Sequence, residues 1–550
     1  MIMNTSVETL IKRFDAIKSQ RSQWDILWQE CSDYCLPQRA IITKTRTPGT
    51  KLKTDIYDST AIQGAQIFAA GLNSYLTNPA SRWFALGMKN RQLADNFEVK
   101  NWLKECEEGI FDYLNSSNFN QIIHEDYIDF AVFGNSILYE EESPKDIITF
   151  AVRPISEIYF LTNAQGKVDT IYRSFTFTAR QAYQKWGKNS GQKVLELMAS
   201  AKVEEPVNFL HIVLPREERD VKKRDAKNMP FASLYIEPTT KKILSEGGYE
   251  EFPFFIGRAY KVSDSEYAYS PASLALADVK MLNTMSRDIL EAAQKTLHPP
   301  VILPHDGYLL PFKTSPKAIN YKLSGSPDDK VESLQLNREI GLSLEMENQR
   351  RTIIQRAFFV DLFLMLANLP DKDRTATEVM ERVNERMLIL GPILGRLMYE
   401  KLDPLINRTF NILLRNGKLP APPDILSGQE YKIDYISPLA KAQKSSETKS
   451  LSDLLLATKT MVELDPSVAD NVNIDKMLRK FTEINYLSDV LRSDEEIQQI
   501  RQMRTEAQQA QSAMELMQRG GEGAKAVLEA EQLLKGGGAQ GGRGSAGKPA

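Results

Sequence analysis

The chain has 550 residues, 42% of them hydrophobic, enough apolar content for roughly two to four packed folding units. Lys and Arg number 69 against 72 Asp and Glu, a formal charge of −3, so no bulk basic field exists to wrap nucleic acid or hold an anionic membrane, and any DNA contact must be local. Three cysteines (Cys31, Cys35, Cys106) and four scattered histidines are too few for a Cys/His zinc site or a disulfide framework, which points to a reducing cytoplasm.

The first twenty residues lack the apolar core and cleavage site of a signal peptide. Residues 5–35 repeat apolar positions at helical spacing (Leu10, Phe14, Ile17, Trp24, Leu27, Trp28, Cys31) until Pro37 stops them. Asp58 or Ser59 can cap a helix over 60–77, ended by Asn78-Pro79, and 97–116 and 120–134 read as two more. From Ser136 the pattern becomes alternating and β-branched, predicting strands at 136–141, 147–153, 157–162, 167–176, 207–214, 231–236 and 253–260. Within this mixed α/β region Pro215 to Lys227 is almost wholly charged with interspersed signs; it reads as a solvated loop or hairpin extension, with a specific binding patch as the alternative.

A helix opens at Ser270-Pro271, where a missing amide is tolerated, and runs to about Leu297 before His298-Pro299-Pro300. Residues 299–334 hold short β-like pieces between Pro and Gly, which suits a compact insert. A second helix is predicted over about 338–366, with an apolar tail of Phe358, Phe359, Leu362, Phe363 and Leu366, then a loop from Ala367 to Arg374. Thr375 or Thr377 opens a third helix, with Glu378 in capping-box position, reaching about Arg415; Gly391-Pro392 must kink it, because proline removes a backbone bond and collides with the preceding turn. The longest apolar run, Ala357 to Leu369, is interrupted by Asp361 and Asn368 and is far shorter than the roughly 20 residues a bilayer span needs. After a Pro/Gly connector, 430–437 reads as a strand able to return to the α/β sheet. Polar helices follow at about 440–463, 474–482 and 494–519; the last carries a seam of Ile500, Met503, Ala507, Ala510, Met514 and Met517 that calls for a neighbouring helix or subunit. From Gly536 the composition is that of a disordered tail. The fold class is α+β, predominantly helical.

No catalytic constellation stands out. Gly542 to Lys548 has the spacing of a phosphate-binding loop, but Pro549 replaces the magnesium-binding Ser/Thr and no strand precedes it. His298 and His305 have no acidic or cysteine partners at ligand spacing, and Cys31 and Cys35 share a helix face as core thiols, so no cofactor or metal is expected. Across residues 338–378 six cations (Arg338, Arg350, Arg351, Arg356, Lys372, Arg374) meet seven acids, a balance that would hold DNA weakly and let it slide, or belong to an ordinary mixed helix surface.

The order helix, insert, helix, loop, kinked helix resembles the portal, or head-to-tail connector, proteins of tailed bacteriophages, above all those of short-tailed phages. The phrases that carry the likeness are Tyr57-Asp58-Ser59-Thr60-Ala61, Ala70-Gly71-Leu72-Asn73-Ser74-Tyr75-Leu76-Thr77, Pro79-x-x-Arg82-Trp83-Phe84, Arg374-Thr375-Ala376-Thr377-Glu378-Val379 and Gly391-Pro392, spread over roughly residues 5–500. The resemblance implies a homo-oligomeric ring of about twelve subunits at one capsid vertex, with double-stranded DNA passing along its axis and no membrane partner. It implies a wing (1–270), stem helices (271–298 and 336–366), a clip (299–335), a tunnel loop (367–374), a kinked helix with a return strand (375–438), a helical crown (439–520) and a Gly-rich tail (521–550). Arg350, Arg351, Lys372 and Arg374 become DNA-channel candidates, and Lys313, Lys317 and Lys322 candidates for docking a terminase motor and then tail adaptor proteins. Capsid and scaffolding proteins are further partners, in the host cytoplasm during assembly and then in the virion. The motor's ATPase is a separate protein in this family, so no enzyme activity is implied. The alternatives are another virion structural protein, a tail adaptor or internal scaffold without a DNA conduit, and, third, an enzyme such as a nuclease.

Overall fold

Ser6 caps the first helix, α1 (Val7–Gln20), by accepting from the Thr9 amide, and the helix lays Leu10, Phe14 and Ile17 on one buried face. The computed structural model describes residues 6–44, 55–88, 96–143, 147–223, 225–297, 340–367, 389–426, 431–434, 451–461, 472–484 and 496–509, with a few short pieces between them. These residues fall into two units, Met1–Ser446 and Glu447–Ala550.

In the first unit α2 (Ser22–Cys35) follows α1 after a break at Arg21, whose buried guanidinium caps the carbonyls of Ile155 and Ile158 and stacks on the Tyr159 ring. Three further helices, α3 (Thr60–Leu76), α4 (Phe97–Ser116) and α5 (Phe119–Phe133), fall where periodicity placed them. Gly134 ends α5 in the left-handed region, φ +70°, where an added Cβ would strike the Tyr269 backbone.

Between α3 and α4 lies β1 (Ala85–Met88). β2 (Asn135–Ser143), β3 (Ile147–Val152) and β9 (Phe254–Arg258) form an antiparallel sheet in the order β3-β2-β9. A second antiparallel sheet runs β4 (Ile158–Thr162), β5 (Val168–Thr178), β6 (Pro206–Pro215), β7 (Phe231–Glu237) and β8 (Lys242–Tyr249) in sequential order. Two short helices between β5 and β6, α6 (Ala179–Trp186) and α7 (Gln192–Ala199), and β8 itself were not anticipated. α6 opens on a capping box of Thr178 and Gln181, and its Ala182 packs with Phe175, Val194 and Phe209.

Pro271 starts α8 (Pro271–Leu297). Two residue pairs, Val301–Ile302 and Glu332–Ser333, form a small antiparallel ladder (β10 and β11 here). α9 (Ile340–Ala357) then runs back along α8. The hydrogen bond from Ser286 to Glu347 and the ion pair of Asp278 with Arg350 fix an antiparallel pairing, since the partner number falls as the α8 number rises.

The single helix expected over 338–366 is broken. α9 stops at Ala357, Phe359 takes a left-handed φ of 56°, and α10 (Val360–Ala367) begins anew. The reason is steric: one helix cannot aim Phe358, Phe359 and Phe363 together at α3. The break seats Phe358 over Gly64 and Phe363 over Gly71, with Phe359 near the Phe68 ring.

The third helix is described from residue 389, so Gly391 and Pro392 sit in its first described turn. Within the described part its departure from α geometry is a π turn, Met398–Leu402, that directly precedes α11 (Asp403–Arg415) and Pro404. Widening this turn answers the proline that follows, which has no amide to give and crowds the preceding carbonyls. The strand expected at 430–437 exists as β12 (Tyr431–Asp434), but it pairs with β1 rather than joining either larger sheet. In the second unit, helices 451–461, Ile474–Ile484 and 496–509 are described, with Arg501 paired to Asp475 at 2.8 Å. Met503 of the expected seam is 61% exposed.

Candidate nucleic-acid interface

The α8/α9 pair is built from polar clasps at its base and apolar surface beyond. Glu347 is buried on α9 and accepts from the Ser286 hydroxyl of α8 at 2.6 Å and from Arg351, one turn on, at 3.0 Å. Arg351 reaches across to Asp58 at 2.9 Å, and Asp58 also accepts from the Thr60 amide, so one carboxylate joins the start of α3 to the paired helices. Burial pushes the Asp58 carboxyl up, but the Thr60 and Arg351 contacts outweigh it and hold it below the usual range. The Asn283 amide accepts from the Tyr57 amide and donates to the Asp55 carbonyl, and Lys280 pairs with Glu30 of α2.

Two of the four DNA-channel candidates are therefore engaged within the chain. Arg350 pairs with Asp278 at 2.7 Å and Arg351 with Asp58 and Glu347. Lys372 and Arg374, like the clip candidates Lys313, Lys317 and Lys322, lie outside the described residues. Missing from the sequence reading were the partners. Glu347 and Arg351 stand at i, i+4, a spacing that signals a helix pair, whereas nothing in the sequence links Arg351 to Asp58, 293 positions away. Beyond the clasps, α8 shows Leu290 (49% exposed) and Leu297 (76%), and α9 shows Leu344 and Met346, also exposed.

A second ionic seat anchors the helix that follows residue 389. The π turn sends Glu400 and Lys401 to opposite partners. Glu400 takes a bidentate grip on Arg258 of β9, at 2.7 and 2.8 Å, and Lys401 enters the core to meet Asp126 of α5 and the Ser136 hydroxyl. Neither Lys401 nor Asp126 has exposed side-chain surface. Burial lowers the Lys401 ammonium, against the pull of Asp126. Nearby Asp129, paired to Arg39 at 2.6 Å, is pushed up to about 7 by burial. Gly257 lets Leu397 close on β9, since a Cβ there would stand 2.6 Å from its Cδ1. Farther along, Arg408 of α11 sits among Glu140, Glu142 and Glu251.

Among the described residues no group of three or more His, Cys, Asp or Glu is placed to hold a metal ion, and no helix is long and apolar enough to cross a membrane. What the described residues show here is a set of intrachain polar clasps with exposed apolar side chains beyond them. A model of the bacteriophage head to tail connecting protein family matches residues 7–485, and the chain belongs to that family. Two relatives make the likeness specific. The portal protein of Salmonella phage epsilon15 is 32% identical over 535 residues, 96% of each chain. The probable portal protein of Bordetella phage BPP-1 is 30% identical over 481 residues, 86% of this chain and 87% of its own. The resemblance to short-tailed-phage portal proteins is borne out, and with it a structural role in joining phage head and tail.

Proposed function

We propose that copies of this chain close into a ring of about twelve subunits at one capsid vertex, with α8 and α9 as a stem around a passage for double-stranded DNA. The observation that carries this is the antiparallel pair itself. Its base is clasped to the rest of the unit by Arg351, Asn283 and Lys280, while Leu290, Leu297, Leu344 and Met346 face outward and call for a neighbour's surface. On this reading residues 299–335 meet a terminase motor during filling and tail adaptor proteins afterwards, with Lys313, Lys317 and Lys322 at that contact. Capsid and scaffolding proteins surround the wing. The channel cations are Lys372 and Arg374, because Arg350 and Arg351 already hold carboxylates of their own chain. Packaging, retention and ejection of the genome then share one conduit.

Native mass measurement combined with negative-stain imaging tests the proposal. The expected result is a closed ring with an open centre; monomers under every assembly condition overturn it, and a hole too narrow for a duplex transfers the chain to the tail-adaptor or scaffold class.

A further inference from the structure

The sheet β4 to β8 carries an arm that the ring proposal leaves without a task. Strand pairing of β6 with β7 ends at Pro215 and Phe231, and residues 216–230 continue beyond it. This is not slack chain. The Arg216 amide donates to the Pro230 carbonyl, and the buried Arg216 side chain binds the carbonyls of Ala226 and Gly247 and the Glu246 carboxylate, clamping both sides of the arm to β8. Gly248 leaves room for this closure, since a Cβ there would stand 2.3 Å from the Ala226 carbonyl. Farther out, the Asn228 side chain accepts from the Asp220 amide and donates to Asp225, while Asp220 accepts from the Lys222 amide.

The charges divide accordingly. Between residues 219 and 227 there are five cations and two acids, Asp220 and Asp225. Both acids are spent on the turn, Asp220 on Lys222 and Lys223 and Asp225 on Asn228. Arg219, Lys222 and Lys227 are exposed with no carboxylate partner among the described residues, and Val221, in a turn with Lys222, is 75% exposed. An exposed apolar residue with exposed cations close to it in the sequence, on a clamped arm, has the make-up of a docking tip: the apolar group supplies buried area and the cations choose the partner by sign. Long ordered extensions of this kind on a compact sheet are commonly functional.

We infer that the arm 216–230 docks Val221, with Lys222 and Lys227 beside it, onto an acidic surface of another protein, one with a small apolar seat rimmed by Asp and Glu. A protein is favoured over DNA because a phosphate backbone offers no seat for Val221, and because Glu217 and Glu218 at the arm's base set acids beside the cations. The inference needs neither the ring nor the passage.

The test places a photo-crosslinking amino acid at Val221 of the full-length chain and irradiates particles assembling in infected cells. Crosslinked peptides are then sequenced, and ring formation is measured separately so that a failure of the ring proposal is seen apart from this one. The expected product is a peptide of a different polypeptide, rich in Asp and Glu, whose yield falls about tenfold or more in K222E/K227E and less in K222Q/K227Q. Unchanged thermal unfolding of these exposed-site variants establishes that the fold is intact. No crosslink, a crosslink to a neutral or basic peptide, or one indifferent to charge reversal overturns the inference; a crosslink to nucleic acid overturns it in favour of DNA.

Discussion

Lys401 is a lysine without exposed side-chain surface, and Asp126 is its direct ion-pair partner, with Asp129 a second negative charge nearby. Removing one partner of such a pair strands the other charge in the core, so K401M should cost about 3–5 kcal/mol, read as a lower urea midpoint, while K401M/D126N should recover most of it. A K401M midpoint equal to the parent's would refute this. The neighbouring carboxyls respond to pH. Burial raises Asp129 from 3.8 to about 7 and Glu140 from 4.5 to about 7, the pull of Arg39 and Arg408 notwithstanding. A carboxyl whose folded pKa lies above its unfolded value favours folding fully at low pH and loses that contribution as pH rises to its folded pKa. These two groups should therefore make stability decline between about pH 4 and pH 7, and D129N should flatten that slope, as denaturant titrations at stepped pH would reveal. Neither seat was legible in the chain. Lys401 and Asp126 are 275 positions apart, and in sequence they are two unremarkable members of a balanced charge total.

At the scale of elements, glycines on α3 decide where α9 ends. Gly71 faces Phe363, whose ring atoms stand 2.2–2.5 Å from where a Cβ would be, and Gly64 faces Phe358 at 2.9 Å. Glycine inside a helix costs about 1 kcal/mol relative to alanine, so G71A gains that in propensity. It also forces a large ring out of a packed core, at about 1–3 kcal/mol, and overlap this deep places the result at the upper end. G71A should therefore lower the melting temperature despite its better propensity, and F363L should restore it; a stabilised G71A would show that α10 yields easily. Gly64 and Gly71 lie seven positions apart on a helix that periodicity located correctly, and the Phe-rich tail was readable as apolar. Only their meeting explains the left-handed Phe359, because a turn between helices here is dictated by the partner surface and not by local turn chemistry.

For the whole molecule, symmetry multiplies small charges. In the ring proposed above, one or two cations per chain among residues 367–374 would repeat as a belt, strong enough to steer a polyanion yet weak at each contact. K372A/R374A should assemble as the parent does but change DNA packaging or retention, measured as genome content per particle; unaltered content would remove these residues from the channel. The sequence by itself determined the helices of the first third, most strands of the two sheets, the paired helices with an insert between them, and the connector family, because periodicity, caps and proline breaks act within a few residues of one another. The tertiary structure alone decided the Phe359 break, the pairing of 431–434 with 85–88, the engagement of Arg350 and Arg351 and the burial of Lys401. Each of these depends on which distant groups become neighbours once water is excluded, and desolvation then sets what a charge or a ring is worth.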